Sequence, residues 1–122
     1  MKRIVQIAMV LMFTAATVSA QENNAKYTRE GDQIKVAYFY EDAETLKETG
    51  YFKDGVSNGR WVQYDRNGQV KIEAYYKNGS KEGTWFVWAD DGETLFELVY
   101  ENNRLKTSHK WTIDKRDMLA KN

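Results

Sequence analysis

The chain has 122 residues, with 18 basic and 18 acidic side chains, one histidine, and neither cysteine nor proline. That length allows a single domain, and the lack of cysteine excludes disulfide staples, thiolate metal sites and the acylated thiol of a bacterial lipoprotein. The balanced charge offers neither the basic excess nor the basic stripe expected of a nucleic-acid binder.

Lys2 and Arg3 open the chain, an apolar stretch over 4–13 broken only by Gln6 follows, and Val18-Ser19-Ala20 fits a small-x-small cleavage pattern. These features predict a signal peptide over 1–20. Gln21 then begins the mature protein, whose net charge is near −2 once Lys2 and Arg3 are gone. The apolar stretch is shorter than the roughly 20 residues of a membrane-spanning helix. The expectation is an exported, soluble protein, periplasmic or extracellular, with no stable membrane insertion after cleavage. Residues 21–30 read as a flexible N-terminal segment in which 27–30 adds at most an edge strand.

From residue 31 to 111 the chain repeats with a period of 24. Gly31, Gly55 and Gly79 fall in register with Asn103, Gly59 with Gly83, and Gly68 with Gly92. The aromatic residues keep the same step: Trp61 with Trp85, Tyr40 with Tyr64 and Trp88, and Phe52 with Tyr76 and Tyr100. Asn67-Gly68 and Asp91-Gly92 mark one set of turns, and Asp54-Gly55 and Asn78-Gly79 the other. The glycines at 55, 59, 68, 79, 83 and 92 are therefore read as structural turn residues. The runs between them predict strands over 34–40, 46–53, 60–64, 69–77, 84–88, 94–101 and 105–111. Strands joined by such short turns must be antiparallel, so the predicted fold is all-β, an antiparallel meander of tandem two-strand repeats. Alternation places Val70, Ile72, Ala74 and Tyr76 on one apolar face and Lys71, Glu73 and Tyr75 on the other. A single meander has no second layer to cover that face unless the sheet curls or a helix packs on it. The charged tail, 112–122, holds the one helical candidate: Thr112 as cap and a short helix over 113–121, with Ile113 and Met118 or Leu119 turned inward.

The pattern Tyr-Lys-Asn-Gly-x-x-x-Gly-x-Trp, then a second aromatic and Asp/Asn-Gly, runs over 76–92 and is approximated over 52–68. It resembles the MORN-repeat variant found in bacterial antitoxin-type repeat proteins, over about two-thirds of the chain. The resemblance implies stacked antiparallel β-hairpins used for assembly or binding, and it is specific for the repeat rather than for a function. The outer copies depart from it, with Ala37 where Trp61 and Trp85 stand and Glu44 where Gly68 stands. Short exported proteins similar to this one sometimes carry a nicotinate-mononucleotide adenylyltransferase name. The residues do not support it, because that chemistry uses a His-x-Gly-His site on a Rossmann-like fold, and this chain has one histidine and no βαβ pattern.

Other chemistry finds little to stand on. His109, in the repeat position of Trp61 and Trp85, cannot form a multi-histidine metal site, and a catalytic triad would rest on it alone. Ser57, Ser80 and Ser108 lie in predicted turns or near the last strand, without a nucleophile elbow. Glu73 and Glu97 occupy equivalent places one repeat apart, but an intervening strand separates them and Lys71 on the same face is expected to neutralise the first. Glu41-Asp42 and Asp90-Asp91 sit at turn tips without the alternating ligand spacing of a calcium loop. No enzyme activity, metal or cofactor is implied. Trp61, Tyr64, Trp85 and Trp88 remain as a candidate binding surface, and the sequence leaves open whether they form a ladder for stacking on sugars or peptides or are the core itself. The expected function is a non-enzymatic binding or scaffolding module that engages a protein partner or its own copy. The alternative is a binder of carbohydrate or peptidoglycan fragments.

Overall fold

A computed structural model describes residues 24–114. The predicted signal peptide and the greater part of the helix expected over 113–121 lie outside the described residues. Thr112, expected to cap that helix, is instead the last residue of a strand, and Ile113 and Asp114 have no regular secondary structure.

The strands are β1 (Ala25–Glu30), β2 (Gln33–Phe39), β3 (Leu46–Lys53), β4 (Val56–Ser57), β5 (Gly59–Tyr64), β6 (Val70–Lys77), β7 (Ser80–Lys81), β8 (Gly83–Trp88), β9 (Thr94–Glu101) and β10 (Arg104–Thr112). They form one open antiparallel sheet in the order β1-β2-β3-β5-β6-β8-β9-β10, with β4 paired to β3 and β7 to β6. The all-β meander predicted from the turn residues is therefore the fold. One boundary needs correction: the segment 21–30, expected to be flexible, supplies β1, whose six residues all pair with β2. Its alternation of Ala25, Tyr27 and Arg29 with Lys26 and Thr28 suits a strand hairpinned to β2 through Gly31.

The apolar face needs no second layer of secondary structure because large and small side chains alternate across it. Along one row, cross-strand pairing sets Val36 opposite Gly50 and Trp61 opposite Ala74, then Trp85 opposite Leu98. Gly50 carries no side chain because the Trp61 indole lies against its backbone; a Cβ there would meet indole carbons at 2.0–2.3 Å. Ala74, 24 residues on, is fully buried as well. Phe52, Tyr76 and Tyr100 interleave with the two tryptophans. Their rings follow one another as Phe52, Trp61, Tyr76, Trp85 and Tyr100, with successive centroids 5.1, 6.4, 5.2 and 5.1 Å apart. The first three pairs are edge-on and the last is tilted. Edge contacts set the positive rim of one ring against the negative face of the next and are worth about 0.5–1.5 kcal/mol each beyond burial.

Each tryptophan is tied to a local break in its strand. Trp61 Nε1 donates to the carbonyl of Tyr51 at 3.1 Å, and the backbone N–H of Asn58 donates to the same oxygen at 2.9 Å. In the next copy Trp85 Nε1 and the N–H of Glu82 share the carbonyl of Tyr75, both at 3.0 Å. The break needs a left-handed residue, and Gly59 and Gly83 supply it at φ 84° and 79°. It also shifts the pairing. Before it Phe52 faces Ser57, and after it Thr49 faces Val62, so two extra residues are accommodated in the Gly-containing strand. Turn ends are clipped the same way in both copies: Gly79 N–H donates to Ser57 and Asn103 N–H to Lys81, while Asn78 N–H donates to the Asn58 side chain and Asn102 N–H to that of Glu82.

The outer copies lack the glycine, and their register differs by one residue. Lys35 and Thr107 stand 24 residues from Gly59 and Gly83. In β10 a single irregularity between Leu105 and Thr107 replaces the two-residue break, so Ser108 faces Leu98 and His109 faces Glu97. In β2, Val36 faces Gly50 and Ala37 faces Thr49. A one-residue slip turns every side chain to the other side of the sheet. His109 and Ala37 thus hold the tryptophan place in the sequence repeat but not in the sheet, where Ser108 and Val36 hold it.

Gly50→Ala tests this arrangement. The added methyl collides with the ring and backbone on both sides of it cannot give way, so we expect a loss of about 2–3 kcal/mol of unfolding free energy. Urea denaturation measures it, and tryptophan emission should shift to the red as Trp61 is displaced.

Candidate binding surfaces

The four aromatic candidates separate into two pairs. Trp61 and Trp85 have no exposed surface, and their indole N–H groups are already bonded to main-chain carbonyls. A ligand could stack on either only after the core had opened. Tyr64 and Trp88, at the ends of β5 and β8, are half-buried. The turn glycines all adopt positive φ, from 70° at Gly92 to 85° at Gly79.

Tyr64 and Trp88 border gaps between successive loops, and the two gaps differ. In the first, Tyr40 Oη donates to the carbonyl of Tyr64 at 2.7 Å, the Arg66 guanidinium covers the Tyr40 ring at 4.5 Å, and Arg66 also pairs with Glu41 at 2.8 Å. Lys47 lies 5.8 Å from the same ring. This gap is latched shut. One repeat later Asp90 stands in the place of Arg66, so the guanidinium that covers Tyr40 has no counterpart at that position. Lys71, the equivalent of Lys47, reaches instead to Asp90 at 3.2 Å. The second gap is an open cleft of about 480 Å³ with Trp88, Ala89, Asp90 and Gly92 on one side and Asp65, Gln69, Val70 and Lys71 on the other. An aromatic ring beside carboxylate, amide and ammonium groups suits a polar ligand with an apolar face. The repeat signalled Tyr40, Tyr64 and Trp88; the exchange of Arg66 for Asp90 was the additional signal for the cleft.

The carboxylates have local partners. Glu73 is paired with Arg60 at 3.0 Å and accepts from Tyr75 Oη at 3.4 Å, whereas Lys71, expected to neutralise it, is bonded to Asp90. A bulge between Gln63 and Tyr64 lies beside Lys71 and takes it out of simple alternation with Glu73. Glu97 accepts from Trp111 Nε1 at 3.1 Å, and Phe86 pairs with both Glu73 and Glu97 across the intervening strand. His109 is exposed and stacks on Trp111, 5.7 Å between centroids. Of the serines, Ser57 is fully buried in β4 and Ser108 exposed in β10. At the turn tips, Asp42 accepts the N–H groups of Glu44 and Thr45 and the Thr45 hydroxyl; Asp91 does the same for Glu93 and Thr94. These bonds stabilise the ionised carboxylates, holding Asp42 down at about 2, led by the Thr45 hydroxyl, and lowering Asp91, led by the Glu93 N–H. Among the described residues, no group of three or more potential metal ligands converges.

Among the described residues, one carboxylate lies within the apolar face. Glu48 is only 4% exposed, opposite Tyr38 on one side and Gln63 on the other. Burial pushes its carboxyl up to about 7, against the opposing pull of the Gln63 amide, which donates to it at 3.2 Å, and of Lys47. Burial also raises the hydroxyls of Tyr38 and Tyr76, with Tyr27 contributing at Tyr38 and Glu48 at both.

No protein-family model matches the chain, and no curated protein matches it.

The Glu48 shift has a definite sign. The folded state holds the proton more tightly than the unfolded chain, so this contribution is fully present below the ordinary carboxylate value of 4.5 and is lost as pH rises through about 7. Glu48→Gln keeps an acceptor for Gln63 and removes the titration. We expect the variant to exceed the parent by roughly 1–3 kcal/mol at pH 8 and to match it near pH 4. Urea unfolding of both proteins across that range measures the difference.

Proposed function

We propose that the chain is a non-enzymatic binding or scaffolding module, exported to the periplasm or the extracellular space, that engages a protein partner or a second copy of itself. The observation that carries this reading is the open sheet, which ends in the strands β1 and β10. An unclosed edge presents main-chain N–H and C=O groups to any chain able to add a strand. The exported address rests on the signal-like pattern of residues 1–20, and the resemblance of the repeat to MORN-type arrays supports an assembly role. The balanced charge argues against nucleic acid.

A second reading, the binding of carbohydrate or peptidoglycan fragments, is favoured by the cleft beside Trp88. Trp88 lines that cleft, and Tyr64 is the other half-buried candidate, next to its lining residue Asp65. Trp61 and Trp85 enter this reading as the support beneath the sheet.

Affinity capture from envelope extract with the oligomeric mass of the purified protein tests the first reading. Recovery of a stoichiometric protein partner, or a defined homo-oligomer, is expected. Recovery of glycan without protein, together with quenching of tryptophan emission by soluble peptidoglycan fragments that disappears in Trp88→Ala, would establish the second reading in its place.

A further inference from the structure

We propose that the free edge of β10 is a docking site for an acidic, extended segment of a partner protein, which adds to the sheet as a further strand. This assignment rests on the reading of the array as a binding module and names the surface and the chemistry of its partner.

β10 is the longest strand of the sheet, nine residues from Arg104 to Thr112, and every one of them is exposed. Among the described residues it pairs with β9 on one side and ends the strand order on the other. The chain contains no proline to block addition there. Apolar contact is available at both ends and on both faces. Leu105, 52% exposed, sits opposite Tyr100 on the core side, and Trp111, 51% exposed, stacks with His109 on the other.

Charge decides what can dock. Arg104, Lys106 and Lys110 lie in β10, which contains no acidic residue. None of the three belongs to an ion pair among the described residues, where the four salt bridges engage Lys53, Arg60, Arg66 and Lys71. On the inner side Glu101 stands opposite Arg104 and Asp91 lies within electrostatic reach of Lys110, so the positive strip is that of β10 itself, along its outer edge. A second copy is a poor occupant. Antiparallel pairing of β10 with β10 about Ser108 sets Lys106 against Lys110, and pairing it with β1 meets a strand in which Lys26 and Arg29 outnumber the single acid Glu30. Like charges directly opposite in a sheet are destabilising, whereas opposite charges add favourably. Edge lysines are a common guard against edge-to-edge association, and here the guard is selective: the irregularity at Lys106 leaves Arg104 and Lys110 on opposite faces, and an incoming strand with carboxylates on both faces satisfies the backbone and the cations together.

The probe is a capped nine-residue peptide of paired glutamates separated by single valine or threonine residues, which puts carboxylates on both faces, titrated into the purified full chain by calorimetry. Two companions go with it: the same peptide with every second amide N-methylated, and a lysine-for-glutamate version. Binding of the acidic peptide is expected to weaken by about tenfold or more on N-methylation, and again in the double variant Lys106→Glu/Lys110→Glu, which should gain affinity for the lysine peptide. Both substituted side chains are exposed, and circular dichroism confirms that the variant keeps its sheet. Failure of the acidic peptide to bind, equal binding of the N-methylated peptide, or unchanged binding by the double variant overturns the proposal. So does a dimer of the parent that the charge reversal dissociates, since that assigns the edge to a second copy. A partner captured from extract whose binding survives the charge reversal refutes the β10 assignment while leaving the module reading intact.

Discussion

The carbonyl of Tyr75 accepts two hydrogen bonds, from the N–H of Glu82 and from the indole of Trp85, and the carbonyl of Tyr51 does the same for Asn58 and Trp61. Most of the sheet depends on that shared acceptor. The main-chain bond requires a break in the strand, the break requires a left-handed glycine, and the indole bond fixes the ring flat against the neighbouring strand. Trp61 reaches this position only where Gly50 leaves the backbone bare. A meander ordinarily needs a second layer to keep its apolar face from water. Here Trp61 is enclosed between Gly50 and Ala74, Trp85 lies opposite Leu98, and both meet the edges of other rings, so much of the core lies within one sheet.

The same motif explains why the ends of the array differ from its middle. Where glycine is replaced by Lys35 or Thr107, the strand cannot form the two-residue break and pairs in a different register. The slip exchanges the faces of the residues that follow. Trp111 and His109 lie on the side of the sheet opposite the ring series, where Trp111 bonds Glu97. The ring series consequently stops at Tyr100, and β10 is left fully exposed. A missing glycine thus ends the core and produces the open edge together.

Turn dipeptides and aromatic spacing made the meander legible in the sequence, and the strand boundaries follow from them to within a residue or two. Alternation also indicated the buried face, through Ile72, Ala74 and Tyr76. Register was less legible, because a period in sequence predicts equivalent placement only while every copy contains the same break; His109 and Ala37 look like tryptophan positions for that reason. β1 was underestimated since its six residues carry two basic groups and one acid, and their order comes from pairing with β2 rather than from apolar content. Of the aromatic candidates, Trp61 and Tyr64 stand three residues apart in β5 and so point to opposite sides of the sheet, which alternation made legible; that the first is fully enclosed and the second half-buried was not.

Residues committed to the repeat are poorly placed to recognise anything else. The turn glycines hold left-handed backbone, Trp61 and Trp85 are enclosed, and Asp42 and Asp91 spend their oxygens on nearby N–H groups. On the proposed binding reading, recognition falls where equivalent positions carry different chemistry. Two such places stand out: Arg66 against Asp90, which closes one inter-loop gap and leaves the next open, and Gly59 and Gly83 against Thr107, which exposes a basic strand edge. Neither change disturbs the shared acceptor motif of the central copies. The array can therefore vary its cleft and its edge independently of the core that holds them in place, and a substitution that alters binding without altering stability should map to these positions.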